Sequence, residues 1–573
     1  MARTVTPKVA ALIERGMQQV RAGDFQEAAR SFERALQQMP ELAEVHAMRG
    51  DALLRASKPD MALASAERAL RLRPDWAEAL MLRGNIEAEL GRFAAAEASF
   101  RGAMPALGAG VQANLGNVLL EQGKFEDALG AFDAALRLRD DPALHAGRAR
   151  ALFGLGRRDD AERAWRSVLE REPGSLEAME QLLQIYMGAR RIDELDEICA
   201  RGRAAAPGDA VFLIGQGFAA WQRDRADEAI ALYREAARIA QGNDQALHRE
   251  ANLNEAICLL KLGRWGEGWR RYLFRLDRKA LLERYPLLAP DPAALAAASA
   301  PRRIRIHLEQ GLGDELFFLR FAPVLRAAGH ALSYRGQPKL IQLLSARADL
   351  LEGVGSEDEP DPRPCDVELL SSDLALASGR ELAPALPLAP EPARLEKAAA
   401  RLRAFGPPPY IGVTWGAGLT VEEQKSFQDR AIWVKRVPPA ELGELMRGLR
   451  ASVVLLQRKP DAQDVAAFCG ALGRPALDAS DCNDDLRDAI ALLSLLEDYV
   501  GVSNTNMHLM AGLTGKRARV LVQSPPEWRW AMAGEESPWF PGFKLYRQAR
   551  DRSWNEPLHR LRADLESAYK LAG

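Results

Sequence analysis

Three glycines, Gly16, Gly50 and Gly84, recur at intervals of 34 residues, and a fixed spacing of that length restricts the chain to stacked copies of one small unit. The finer pattern repeats as well. Gly16 is followed by Gly23, Phe25, Ala28, Phe32, Ala35 and Pro40, and Gly84 by Gly91, Phe93, Ala96, Phe100 and Ala103. Gly116, Gly123, Phe125, Ala128, Phe132 and Ala135 repeat it two residues early, which fits a shortened turn near 106–109. Small residues suit the crossing of two helices, aromatics fill the next hairpin, and proline stops the second helix.

This is the tetratricopeptide period, and weaker copies extend it: Gly156, Ala161, Trp165 and Pro173; then Leu195 and Pro207; then Gly217, Ala229, Tyr233 and Ala236; finally Gly263, Trp265, Gly268 and Tyr272. About eight hairpins over 1–278 are expected to stack into a right-handed α-solenoid whose concave face holds a protein partner. Residues 279–300, rich in alanine and proline, read as a connector. His46, His145 and His248 are isolated along the array and read as surface or packed residues.

The second half alternates strand and helix. Ile304, Ile306 and Leu308 alternate with polar neighbours, Gly311 and Gly313 bracket a turn, and Asp314 stands where a helix should begin. Such a junction suits an anion, because glycine permits close approach and first-turn amides carry partial positive charge. It is not a G-x-G-x-x-G nicotinamide or flavin signature. Asp314 alternatively serves only as the helix cap. Proline is dense from Pro384 to Pro409, after which strands near 410–415, 452–457, 477, 499–503 and 519–523 alternate with helices, and a closing helix falls near 558–571. Two Rossmann-like domains, 301–405 and 406–573, are expected to face one another with ligands beyond the carboxyl ends of their strands.

Composition narrows the function. A net charge of −2, with basic and acidic residues interleaved, leaves no footprint for nucleic acid. Five scattered cysteines favour neither a disulfide framework nor a zinc ribbon, and seven histidines without H-x-H or H-E-x-x-H spacing predict no metal site. No leader and no membrane span are expected, which points to a cytoplasmic protein.

Taken together, Glu309 to Asp314, the TW-G of Thr414 to Gly416, the KRVP of Lys435 to Pro438, the LLQ ending at Gln457, VSNTNMHLMAG, SPPEWRW and ESPWFPGFKLYRQ resemble bacterial tetratricopeptide-repeat glycosyltransferases. Their catalytic half is similar to ADP-heptose heptosyltransferases and, more distantly, to protein O-GlcNAc transferases. The resemblance implies a GT-B fold and a metal-independent enzyme that moves a sugar from a nucleotide donor to Ser or Thr of a protein, with flagellin as the candidate acceptor. It assigns Asp314 as general base. It places the donor beside Gln310, Gly311, Gly313, Trp415, Lys435, Gln457, Ser503, Asn504, Thr505, Asn506 and His508.

Independent chemistry agrees with those roles, since sugar transfer needs a carboxylate near the acceptor hydroxyl and donors around the departing phosphate. Each residue also has a plainer reading. Lys435 beside Arg436 and Lys425 can be a solvated charge, and His508 a packed histidine. Trp528, Trp530, Trp539 and Trp554 either line a sugar cleft or clamp the C-terminal segment; clamping is favoured for Trp528 and Trp530. Ser503 stands where the resemblance has an aspartate, a change expected to remove a negative charge from beside the sugar and to favour anionic or N-acetylated donors. A non-catalytic adaptor retaining the GT-B shell is the alternative reading.

Overall fold

A computed structural model describes residues 5–359, 361–417 and 435–570; Lys425 lies outside them. The chain forms two compact units, Met1–Ala219 and Ala220–Gly573.

The first unit is helical hairpins, beginning with Pro7–Arg21 and Phe25–Gln38 and continuing through Leu176–Ala189 and Ile192–Ala205. The 34-residue period has a direct steric cause. A Cβ on Gly16 would lie 2.5 Å from the Phe32 ring, one on Gly84 2.6 Å from Phe100, and one on Gly116 2.8 Å from Phe132. Gly16, Gly84 and Gly116 thus lie beneath the aromatic of the second helix of their own hairpins, where side-chain volume would force the helices apart, whereas a Cβ on Gly50 would meet Leu82 at 3.2 Å and the Ala62 carbonyl at 3.4 Å. Gly23, Gly91 and Gly123 turn the chain between helices with φ of 83°, 70° and 69°, a region only glycine enters freely.

The second unit opens on helices Ala226–Ala240, Gln245–Lys261 and Trp265–Tyr272. These carry the last repeat signatures, yet Trp265 and Trp269 belong to the same core as the sheets. Trp269 lies edge-on to Phe318, Trp528 and Trp539 at 5.9, 5.3 and 5.9 Å. The expected connector is ordered too. Arg278–Arg284 is helical, Tyr285, Leu288 and Ala289 are buried, and the Ala289 amide donates to the Glu368 carbonyl at 3.0 Å.

Two sheets follow. In the first, β1 (Arg303–His307), β2 (Ala331–Arg335), β3 (Gly353–Gly355) and β4 (Val367–Leu370) run parallel in the order β3-β2-β1-β4, Ile306 pairing with Tyr334 and Leu369. The second contains β5 (Tyr410–Thr414), β8 (Ser452–Leu455), β9 (Leu477–Asp478), β10 (Asp498–Val502), β11 (Ala518–Val522), β12 (Glu536–Ser537) and β13 (Phe540–Arg547). Its order is β12-β13-β11-β10-β5-β8-β9, parallel except for the edge strand β12. Strands β5 and β10 are buried throughout and read as continuous apolar runs, as strands covered on both faces do. A two-residue ribbon, β6 (Gly416–Ala417) against β7 (Lys435–Arg436), rises from the end of β5.

Candidate functional site

The carboxyl ends of β1, β5 and β10 carry the residues that the sequence singled out. Beyond β1, the helix starts two residues earlier than expected: Gly311 is its N-cap and the helix runs Leu312–Phe318, leaving Asp314 inside the first turn. The residue organising this loop is the next acid. Glu315 is fully buried and accepts from the amides of Glu309 (3.0 Å) and Gln310 (3.3 Å), from Ser371 Oγ (2.7 Å) and from Tyr334 Oη (2.9 Å). Burial pushes its pKa up, and the four donors oppose that shift. Those two amides are therefore engaged within the loop itself. Gln310 instead donates to Tyr272 Oη at 3.0 Å.

Asp314 is not a cap. Its carboxylate forms an ion pair with Arg529, while its side chain stays about one-third exposed. Arg529 is buried, its guanidinium 4.5 Å from the Trp528 ring centroid and 4.9 Å from that of Phe317, and its Nε has no hydrogen-bond partner among the described residues. Burial disfavours its charge, but Asp314 and Glu527 outweigh that and hold its pKa above the usual value.

The glycine loop meets the β10 loop directly. A Cβ on Gly313 would lie 3.2 Å from His508 Cδ2, 3.5 Å from Nε2 and 3.6 Å from Thr505 Oγ1. His508 is buried beside Phe540 and its Nδ1 is unpartnered. Burial, then Arg529, Arg320 and Lys435, drives its pKa well below the ordinary value, so the ring is neutral. Asn504 caps the helix Thr505–Gly512, accepting from the Met507 amide at 3.2 Å, and donates to Thr414 Oγ1 and Tyr499 Oη, both at 3.0 Å. Asn506 is buried beneath the same loop.

Lys435 stands on the ribbon from β5 and pairs with Glu527, which also accepts from Ser503 Oγ at 2.9 Å. Burial raises the Glu527 pKa, but Lys435 and Arg529 outweigh it and hold the carboxyl below its usual range. Gln457 Oε1 accepts from the amides of Trp415 (3.1 Å) and Gly416 (2.9 Å), so this amide braces the β5 loop. The Trp415 indole is stacked 5.6 Å from Phe468 in the core, and its carbonyl accepts from the Val437 amide at 2.9 Å.

Three residues here escaped sequence reasoning: Glu315, Glu527 and Arg529. Only SPPEWRW held a signal, two charges alternating with two tryptophans. Trp528, Trp530, Trp539 and Trp554 are all buried, so they act as the clamp rather than as a sugar platform. Arg320 adds a further buried cation, donating only to the carbonyls of Phe317 (3.1 Å), Ala383 (3.2 Å) and Trp539 (2.9 Å); burial and Arg529 pull it down to about 9, still charged at neutral pH. Lys435 and Arg529 are thus paired with Glu527 and Asp314, while Arg320, held by backbone carbonyls, adds positive charge beside the neutral His508.

Among known proteins, a tetratricopeptide-repeat profile matches residues 13–56, 47–110, 113–157 and 146–210, and the chain carries these repeats there. Protein FlbA of Caulobacter vibrioides is 25% identical over 502 residues, covering 77% of this chain and 81% of that protein. That span exceeds what the repeats can supply and so reaches into the α/β part. Among solved structures, a tetratricopeptide repeat protein from Parabacteroides merdae matches 44% of this chain and 99% of its own at 17% identity and a TM-score of 0.35. PilW, described as a widely conserved type IV pilus biogenesis factor, matches 35% of this chain and 95% of its own at 22% identity and 0.33.

Proposed function

We propose that this repeat protein is a cytoplasmic, metal-independent glycosyltransferase of GT-B architecture that transfers a sugar from a nucleotide donor to Ser or Thr of a protein recruited by its repeats, flagellin being the candidate acceptor. The contact of Gly313 with His508 and Thr505 carries this reading, because it joins two strand-end loops at one point. Ligands of open parallel sheets gather at such ends. The helix Thr505–Gly512 opens toward that point, and its first-turn amides together with Lys435 and Arg529 favour a phosphate there.

In this account Asp314 takes the acceptor proton as the hydroxyl attacks the anomeric carbon, and Lys435 and the helix amides stabilise the charge that develops on the departing phosphate. Gln310, Gly311 and Gly313 border the donor beside Asp314, while Gln457 and Asn504 hold their loops in register. A non-catalytic adaptor is the competing reading, favoured by the fact that Asp314 and Lys435 are already paired to Arg529 and Glu527. Thermal denaturation of the full chain with UDP-, GDP-, ADP- and CMP-linked sugars separates the two. An enzyme is stabilised by one nucleotide class, and an adaptor by none.

A further inference from the structure

Ser503 does not leave its position without a negative charge. Its hydroxyl donates at 2.9 Å to Glu527, a residue 24 positions later in the chain that arrives on a different loop. That loop is rigidly seated. Glu527 caps the turn Trp528–Trp530, both tryptophans are buried, and Arg529 anchors the turn to Asp314 on the opposite loop. The Glu527 side chain remains about one-quarter exposed, so it is reachable from the junction.

We propose that Glu527 is the specificity-determining carboxylate of this site, accepting hydrogen bonds from the hydroxyl or amide N–H groups of the donor sugar. This deepens the glycosyltransferase reading and rests on it. The chemistry follows from three observations. Glu527 stands on the loop after β11, hydrogen-bonded to Ser503 at the carboxyl end of β10, the position that the resemblance puts next to the sugar. It is oriented by Ser503 through one oxygen and by Lys435 through the other. Each carboxylate oxygen has a second lone pair left to accept from a ligand. Lys435 then has two states: paired with Glu527 when the site is empty, and shared with phosphate when a donor is bound. Of the anionic or N-acetylated donors expected from Ser503, this carboxylate disfavours the anionic ones and retains the N-acetylated ones, whose amide N–H it accepts.

The test is calorimetry on the full chain, with UDP, GDP and ADP each measured bare and linked to glucose or N-acetylglucosamine. Wild type should bind one sugar-linked nucleotide more tightly than its bare form. Glu527→Gln should reduce that preference by about tenfold, the order expected for losing charge-assisted hydrogen bonds. The bare nucleotide should bind as well or better, because Lys435 is released. Restoring the carboxylate next door, in a Ser503→Asp/Glu527→Gln double variant, should recover the preference. Equal weakening of bare and sugar-linked forms, or no recovery in the double variant, overturns the proposal. Should Glu527→Gln fail to fold, Ser503→Ala removes only the orienting hydroxyl and should lower the preference by about threefold; an unchanged preference overturns the proposal. If wild type binds no nucleotide at all, the glycosyltransferase reading falls and this one with it. If bare nucleotide binds while the sugar preference ignores residue 527, only this inference falls.

Discussion

Arg275 grips Glu309 through two parallel hydrogen bonds, Nε to Oε1 at 2.5 Å and Nη2 to Oε2 at 2.6 Å, with both side chains 6% exposed. The pair ties the segment following the last repeat helix to the loop that carries Asp314. Tyr272 reinforces it through Gln310, and Arg278 holds the neighbouring Asp373 at 2.9 Å.

Replacing Arg275 with methionine leaves the Glu309 carboxylate buried with only Ser372 and Gln310 as donors. Breaking a buried pair in this way costs about 3–5 kcal/mol. Denaturant unfolding of the full chain, followed by the fluorescence of Trp269 and Trp528, should register the loss; an unchanged midpoint would contradict it. Burial raises the Glu309 pKa, but Arg275 outweighs it and holds the carboxyl below its usual 4.5. The pair's stabilisation is therefore full above about pH 4.5 and fades as pH falls through the lowered value, a fall that Arg275→Met should remove.

Gly313 sets how closely the two loops approach. Alanine there needs the His508 ring to retreat by a few tenths of an ångström, whereas valine cannot be accommodated. Gly313→Ala should bind nucleotide within about threefold of wild type and Gly313→Val at least tenfold more weakly, with little change in far-ultraviolet dichroism. Equal affinities for both variants would mean that the loops part on binding.

His508 should show no titration by imidazole nitrogen-15 resonance between pH 8 and pH 6 in the ligand-free protein, since burial and three cations hold it neutral. Its folded pKa is depressed, so its contribution to stability is present above the unfolded value near 6.5 and declines as pH falls below it. A midpoint at 6.5 would mean that the ring is solvated.

In the repeats, Gly84→Leu drives a side chain into the Phe100 ring and should cost about 1–3 kcal/mol, read as faster amide exchange confined to Ala77–Glu89 and Phe93–Leu107. Exchange that accelerates along all the repeats would contradict the local packing described here.

How legible the chain was depended on whether a contact is local. The hairpins and most strands were readable because periodicity records burial within one element; Tyr410–Thr414 and Asp498–Val502 fall within a residue of their expected places. Strand β13, Phe540–Arg547, was missed because Pro541 and Gly542 interrupt its pattern, although it lies between β11 and β12. The loops after β1 and β10 were recognisable from glycine and short polar residues, but their partners were not. Arg529 is 215 residues from Asp314, and no spacing rule connects them. Trp265 carried a repeat signature and a role in the α/β core at once, and the sequence pattern expressed only the first.

The central claim is that Asp314 serves transfer of a sugar to protein, and the mass of an acceptor measures this most directly. Flagellin produced together with the wild-type chain, in a host supplying the nucleotide sugar, should gain whole glycosyl increments on Ser or Thr. Flagellin produced with Asp314→Asn should gain none within an assay range of about 10²-fold, because the amide keeps the shape but cannot take the acceptor proton. The purified variant should still bind nucleotide within a few-fold of wild type. Unmodified flagellin with the wild-type chain, or equal modification by both chains, would contradict the account.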